Sequence, residues 1–501
     1  MLYNSTENKK EVVSASQAIA QGISKDGGLF VPQEFPSYDL DTIKSLTALD
    51  YKGIAKKVFS DFLTDFTDEE INDCVEKAYT AEKFGSDDPA PISYKKYNGN
   101  DVGILELWHG PTCAFKDMAL QILPHLLTKS LKKTNDSKDA VILVATSGDT
   151  GKAALEGFKD VDHTKIIVFY PVDGVSPMQK HQMVTQEGAN VNVCAIEGNF
   201  DDAQTGVKRI FTTEEIANEL ESNNMMFSSA NSINWGRLLP QIVYYISSYC
   251  KLVNDNKIKL GDKINVVVPT GNFGNILASY YACCMGIPVN KFICASNSNN
   301  VLTDFIKTGV YDKNRSFYTT ISPSMDILVS SNLERLLYKL SGDSDTITRD
   351  WMTKLKTEGK YEVSDEVKNA VKSSFYGGYC DDNETKDTIA KMFKEENYLC
   401  DTHTAVAVSV YDKYVSETGD KTPTIIASTA SPYKFSNAVL NAVDGSSADL
   451  SEFDMVDKLN ELTGVDIPKP LSSLKDKKAR FSNVVKSEDM PEYVLKTLGV
   501  K

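Results

Sequence analysis

Short runs that are apolar at every position alternate with stretches of helical periodicity through most of this chain. The runs are VILVA at 141–145, IIVFY at 166–170, VNVCAI at 191–196, INVVV at 264–268, FICA at 292–295 and TIIAS at 424–428. Strands buried on both faces read this way, and the helices between them predict parallel sheets in an α/β fold. Residues 40–85 follow a different rule. IAKKVFSDFL at 54–63 and EEINDCVEKAYTAEKF at 69–84 place apolar residues three or four apart, with Thr67 and Asp68 as caps, until GSDDPAPISY at 85–94 breaks the pattern. A helical N-terminal domain is expected to end there. Residues 326–400 predict a charged, amphipathic helical insertion on the outside of a sheet. SEFDMVDKLNELTG and PEYVLKTLG in the tail predict short surface helices without chemistry.

Length and composition narrow the class. At 501 residues the chain holds about three domains at roughly 150 residues each. Its 54 basic and 69 acidic side chains leave a formal charge of −15, which argues against a nucleic-acid or anionic-membrane binder. Nine cysteines without a CxxC read as buried thiols, and five histidines without a ligand spacing predict no metal site. The first thirty residues carry no basic segment followed by an apolar one, and no apolar stretch reaches the roughly 20 residues of a membrane span. A cytoplasmic protein is expected.

Three loops carry candidate chemistry. TSGDTGKAALEGF at 146–158 follows a strand and opens a helix, so Gly148, Gly151 and the capping residues Ser147, Asp149 and Thr150 offer free N–H groups to an anion. It fits neither a Walker loop nor GxGxxG; alone, it is equally a well-capped turn, and either a carboxylate or a phosphate would suit it. PTGNFGN at 269–275 repeats the strand–loop–helix arrangement. In ELWHGPTCAFKDMALQIL at 106–123, Lys116 stands among apolar neighbours at a helix start. Desolvation and the helix dipole both lower an amine there, as Schiff-base chemistry requires, although most such lysines merely pack their stems.

Taken together these segments resemble the fold-type II enzymes that use pyridoxal phosphate, and more narrowly the threonine synthase family. HGPTCAFKD is similar to its cofactor-lysine motif, TSGDTG to its substrate-carboxylate loop and GNFGN to its cofactor-phosphate loop. NSINWGR at 231–237, DTHTAVA at 401–407 and STASPYKF at 428–435 resemble further blocks, and YNST at 3–6 with DGGLFVP at 26–32 resembles the N-terminal domain of the longer bacterial and fungal type. The resemblance spans nearly the whole chain in order. It implies a tryptophan synthase β-like architecture: an N-terminal helical domain at 1–95, a large cofactor-binding domain at 96–135 and 255–450, a small mobile α/β domain at 136–254, and a helical tail at 451–501.

The resemblance also implies roles. Lys116 would join pyridoxal 5'-phosphate through a Schiff base and shuttle protons. Gly271, Asn272, Phe273, Gly274 and Asn275 would hold the cofactor phosphate, and Thr429 would meet the pyridine nitrogen as a neutral hydroxyl. The implied substrate is O-phospho-L-homoserine, converted with water to L-threonine and phosphate in the last step of threonine biosynthesis. Its carboxylate would sit on Ser147, Asp149 and Thr150, and its phosphate on Asn231, Ser232 and Arg237, whose planar fork suits a phosphate. Reactive intermediates must be kept from water, so the site is expected to close on binding. A monomer is favoured over a dimer. The chain departs from the pattern at Glu7, where the family has arginine after the YxST element, and at Ser431, where it has histidine before the proline. The alternatives are a serine or threonine dehydratase-type lyase, which needs no second anion site, and a non-catalytic relative that binds a phosphorylated ligand. Cofactor and substrate are both anions, so a chain of net charge −15 must attract them locally, through Arg237, Lys116 and two helix starts.

Overall fold

The structure is a computed structural model that describes residues 1–134, 138–146, 148–172, 175–445 and 450–500, and the backbone alone of Asp201. Two parallel sheets organise it. The large one runs, in spatial order, Phe375–Tyr379, Val289–Ser296, Ile264–Pro269, Thr424–Ser428, Asn100–Glu106 and Ile92–Tyr97, with only the last strand antiparallel. The small one runs Val484–Lys486, Val191–Glu197, Thr164–Pro171, Asp139–Ala145 and Met225–Ser228, parallel throughout. All six apolar runs lie in these strands. Their uniform apolarity has the expected cause: in Asp139–Ala145, Val141 and Leu143 enter one apolar cluster while Ala140, Ile142 and Val144 enter another on the opposite face.

The N-terminal region, expected to be helical, also holds a sheet. Helices Tyr51–Phe62 and Asp68–Ala78 are present, the latter opened by a capping box between Thr67 and Glu70. Before them stands a three-stranded antiparallel sheet of Asn8–Ser14, Leu2–Ser5 and Phe30–Pro32. Tyr3, from YNST, is buried against Trp235 with ring centroids 5.3 Å apart and donates its hydroxyl to Phe62 O at 2.9 Å. Glu7, where an arginine was expected, is buried with Lys356 3.7 Å away.

Three further expectations need correcting. The 326–400 segment is not wholly an outer helical insertion, because its Phe375–Tyr379 becomes an edge strand of the large sheet. The small lobe does not extend to residue 254: helix Trp235–Asn254 packs on Tyr51–Phe62 and on Gly274–Cys284, outside that lobe. Nor is the tail a set of surface helices. Glu452–Thr463 buries Met455, Val456 and Leu459 on the large lobe, whereas Val484–Lys486 adds a strand to the small sheet and Met490–Leu498 buries Met490 and Val494 beneath it. Among the described residues no helix is long and apolar enough to cross a membrane and no cluster of potential metal ligands occurs, and all nine cysteines are unpaired.

Candidate active site

The carboxyl ends of the two sheets face one another, and the site is built from the loops that leave them. Beyond strand Asn100–Glu106, the lysine loop is laced to the segment after Thr424–Ser428: Leu107 N–H donates to Ser428 O (2.9 Å), Phe115 N–H to Thr429 O (2.8 Å) and Ser431 N–H to Cys113 O (3.1 Å). Within the loop the buried Asp117 carboxylate accepts from Thr112 N–H (2.8 Å) and Thr112 Oγ1 (2.6 Å). Burial raises this carboxyl to about 6 against those bonds. Lys116 opens the short helix Asp117–Leu120. Its amine, with a side chain only 10% exposed, lies 4.7 Å from the Phe115 ring centroid, 3.5 Å from Ser324 Oγ and 3.9 Å from Asp149 Oδ2. Burial pulls the amine down to about 8; Asp149 opposes this, and the charges of Lys434 and Arg237 reinforce it.

The loop Gly271–Asn275 joins strand Ile264–Pro269 to helix Gly274–Cys284. Phe273 takes a left-handed turn at φ 63°, so the helix begins without a side-chain cap and its first N–H groups stay open. Ser330 Oγ donates to Gly271 O (2.6 Å), and Asn332 donates through N–H (3.1 Å) and Nδ2 (3.0 Å) to Asn272 O, which fixes the loop's carbonyls on its far side. A Cβ on Gly271 would stand 2.5 Å from Ser324 O, so only glycine fits. Asn275 accepts from the Tyr245 hydroxyl, while its own Nδ2 is buried without a partner. An orphaned donor and open helical N–H groups, together with an amine of lowered basicity, suit a phosphorylated aldehyde such as pyridoxal phosphate. Thr429, nearly buried, follows the end of Thr424–Ser428, and its carbonyl accepts from Phe115 N–H, one residue before Lys116.

On the small lobe, Ser147 lies outside the described residues. Thr146 Oγ1 accepts from Gly148 and Gly151 N–H, both at 3.0 Å, which leaves the N–H groups of Asp149 and Thr150 at the start of helix Asp149–Phe158 without intrahelical partners. The Asp149 side chain is already engaged within the protein. Its Oδ1 accepts from Lys434 Nζ (2.7 Å) and Gln179 Nε2 (2.8 Å) and its Oδ2 faces Lys116. Burial acts to raise it, but Lys434 and Lys116 outweigh burial and keep it ionised, well below the ordinary carboxylate range.

NSINWGR forms the turn into helix Trp235–Asn254. Asn234 caps it through Gly236 N–H (2.8 Å) and ties the turn back to Ile19 O and Ser229 O at 3.0 and 2.8 Å. Asn231 is exposed and Ser232 half-buried on the same turn. Arg237 is 3% exposed; its Nη1 donates to Ala230 O, its Nε has no partner, and no carboxylate pairs with it among the described residues. Burial pulls it down to about 10.

Three groups in this site have no role in the sequence reading. Lys434, in STASPYKF, is fully buried and also donates to Thr112 O at 2.8 Å. His403 Nδ1 donates to Asp401 Oδ1 (3.0 Å), so its Nε2 accepts from Ser324 N–H (3.2 Å). Ser324 thereby touches both Lys116 and the phosphate loop. Lys434 and His403 stand in quoted motifs, whose chemistry was the available signal; nothing in SPSMD marks Ser324.

Comparison with known proteins accords with this geometry. Residues 2–79 match the family described as threonine synthase N terminus, residues 89–429 that of pyridoxal-phosphate dependent enzymes, and residues 404–494 that of threonine synthase, C-terminal. The chain belongs to the threonine synthase family. It is 35% identical to threonine synthase of Saccharomyces cerevisiae, over 96% of this chain and 95% of that protein. With human threonine synthase-like 1 it shares 40% identity over 87% of its own length but spans only 59% of that longer relative. The yeast threonine synthase crystal structure superposes with a TM-score of 0.89 at 33% identity, covering 100% of this chain and 99% of that one. A pyridoxal-phosphate-bound threonine synthase from Brucella melitensis gives 0.86 at 35%, covering 99% and 98%. Family membership makes the fold one of fold type II, dependent on pyridoxal phosphate.

Proposed function

We propose that the protein is a threonine synthase that converts O-phospho-L-homoserine and water to L-threonine and phosphate. The observation that carries this reading is Arg237, a buried guanidinium without a carboxylate partner whose charge reaches Lys116. Arg335 makes the contrast. It is equally buried, but Phe30 O, Asn332 Oδ1 and Ile233 O occupy its Nε, Nη1 and Nη2. Arg335 is a satisfied structural cation, whereas Arg237 keeps donors for an anion, and a dehydratase substrate has no phosphate to give it.

Pyridoxal phosphate, when bound, supplies an electron sink that acidifies the substrate at Cα and Cβ. The Lys116 amine, near 8, is poised to take and return protons at those carbons around neutral pH. The N–H groups of Asp149 and Thr150 would orient the substrate carboxylate, Arg237 with Asn231 and Ser232 would hold the departing phosphate, and Thr429 would offer the cofactor ring a neutral hydroxyl. Burial of Lys116 and Arg237 limits water until it is needed at Cβ. The test is an assay of purified protein with O-phosphohomoserine. Threonine and phosphate in equal amounts are expected; phosphate with 2-oxobutanoate would move the assignment to a non-hydrating lyase, and no turnover with retained binding would make it a phospho-ligand-binding relative.

A further inference from the structure

The fully buried Lys434 bridges two parts of the site: it donates to Thr112 O in the lysine loop (2.8 Å) and pairs with Asp149 Oδ1 on the small lobe (2.7 Å). Gln179, from the small-lobe helix Pro177–Val184, holds the same Oδ1 at 2.8 Å. Both bonds fall on one oxygen, which leaves Oδ2 turned to the Lys116 amine at 3.9 Å. We propose that Lys434 is a positioning residue for Lys116, which seats the small lobe on the lysine loop through Asp149 and presents the free edge of that carboxylate to the Lys116 amine. A fully buried pair returns little net stability after its desolvation, so stability alone is a poor account of it. Its geometry has a second consequence. Without Lys434, the whole charge of Asp149 would act on Lys116 and hold it as an ammonium. With Lys434 sharing that charge, the amine gives up its proton more readily for attack on an aldehyde, yet an anion stands by when it regains one.

The groups that face Lys116 are Asp149 and Lys434 at the lobe junction, Arg237 from the long helix, Asp117 from its own loop, and Ser324, behind which His403 is held as an acceptor. The inference rests on the reading of Lys116 as the aldehyde-bearing, proton-carrying amine. Its test is therefore made on full-length protein freed of cofactor and given pyridoxal phosphate across a pH series. The imine is trapped by borohydride and located by mass. Wild type should trap at Lys116 with a midpoint near pH 8. Asp149→Asn removes an anion and should lower the midpoint by about one pH unit; Lys434→Met removes a cation and should raise it by about as much. Lys434→Arg should stay with wild type. Opposite displacements are beyond a merely structural role. Should Lys434→Met fail to fold, Lys434→Gln, which removes the cation but keeps a donor for Thr112 O and Asp149, takes its place and should raise the midpoint likewise. Folded variants that all keep the wild-type midpoint overturn the proposal alone. Absence of a Lys116 adduct in wild type overturns the reading beneath it as well.

Discussion

Two buried arginines make opposite predictions. Arg335 gives its donors to two carbonyls and an amide oxygen, so Arg335→Met strands buried acceptors and should cost on the order of 3 kcal/mol in urea unfolding. Arg237 satisfies one carbonyl and otherwise carries an uncompensated buried charge. Arg237→Met should therefore leave the cofactor-free protein as stable as wild type, or more stable by about 1–3 kcal/mol. The same change should lower kcat/KM for O-phosphohomoserine at least about a hundredfold, since two charge-assisted bonds are lost, while the borohydride-trapped Lys116 adduct persists. A destabilised Arg237→Met would show that the residue is structural. Lys116 adds a pH dependence. Its amine titrates near 8 in the folded chain and near 10.4 when unfolded, so the unfolded state binds more protons between these values and stability rises with pH across that window. The gain is about 3 kcal/mol at most, and Lys116→Met should remove it; equal pH slopes for the two proteins in urea unfolding at pH 7.5 and 9.5 would refute this.

At the scale of elements, the phosphate loop depends on contact between segments far apart in the chain. The turn at Ser322–Met325 presses its Ser324 carbonyl against Gly271 and is held from behind by His403 and Asp401. Gly271→Ala sets a methyl 2.5 Å from that oxygen, so the loop or the turn must move. Affinity for pyridoxal phosphate should fall at least tenfold in an absorbance titration, with the thermal midpoint lowered by only a few degrees; unchanged affinity would free the turn from any part in shaping the loop. This turn also marks the limit of what pattern alone reveals. INVVV or VILVA is legible because a strand buried on both faces has no polar position to blur it. FYGGY at 375–379 is not, since two glycines and exposed Tyr379 mask an edge strand. The loops were legible as helix starts, and motif resemblance attached chemistry to them. Their partners were not, because Lys434 meets Thr112 across 322 residues and Ser324 meets Lys116 across 208. Asp149 illustrates this: its motif marked the N–H groups of a helix start, and the lysine that pairs with its carboxylate appears only in the packed structure.

For the whole molecule, the tail fastens the small lobe. From Glu452–Thr463 on the large lobe the chain crosses to the small one, where Arg480 donates through N–H to Val184 O at 2.8 Å and through Nη1 to Gln186 O at 2.6 Å. It then pairs Val484–Lys486 with the edge strand Val191–Glu197 and lays Met490–Leu498 over Ile196, Ala203 and Val207. Removing residues 484–501 exposes that strand edge and the cluster beneath Met490 and Val494. Each fully buried side chain of this kind is worth about 1.5–3 kcal/mol, so the small lobe should lose several kcal/mol. The large sheet keeps all its strands, and Lys116, Gly271 and Thr429 all leave its own strands, so it should retain the cofactor. Amide hydrogen exchange separates the two lobes. In the truncated protein, Val191–Glu197 and Thr164–Pro171 should exchange at least a hundredfold faster while Ile264–Pro269 stays protected. Turnover should fall with the small lobe, because the N–H groups of Asp149 and Thr150 are carried on it, whereas trapping of pyridoxal phosphate at Lys116 should continue with a displaced pH midpoint as Asp149 loses its seat. Uniformly accelerated exchange in both sheets would instead mean that the lobes unfold as one unit and that the tail stabilises the molecule as a whole.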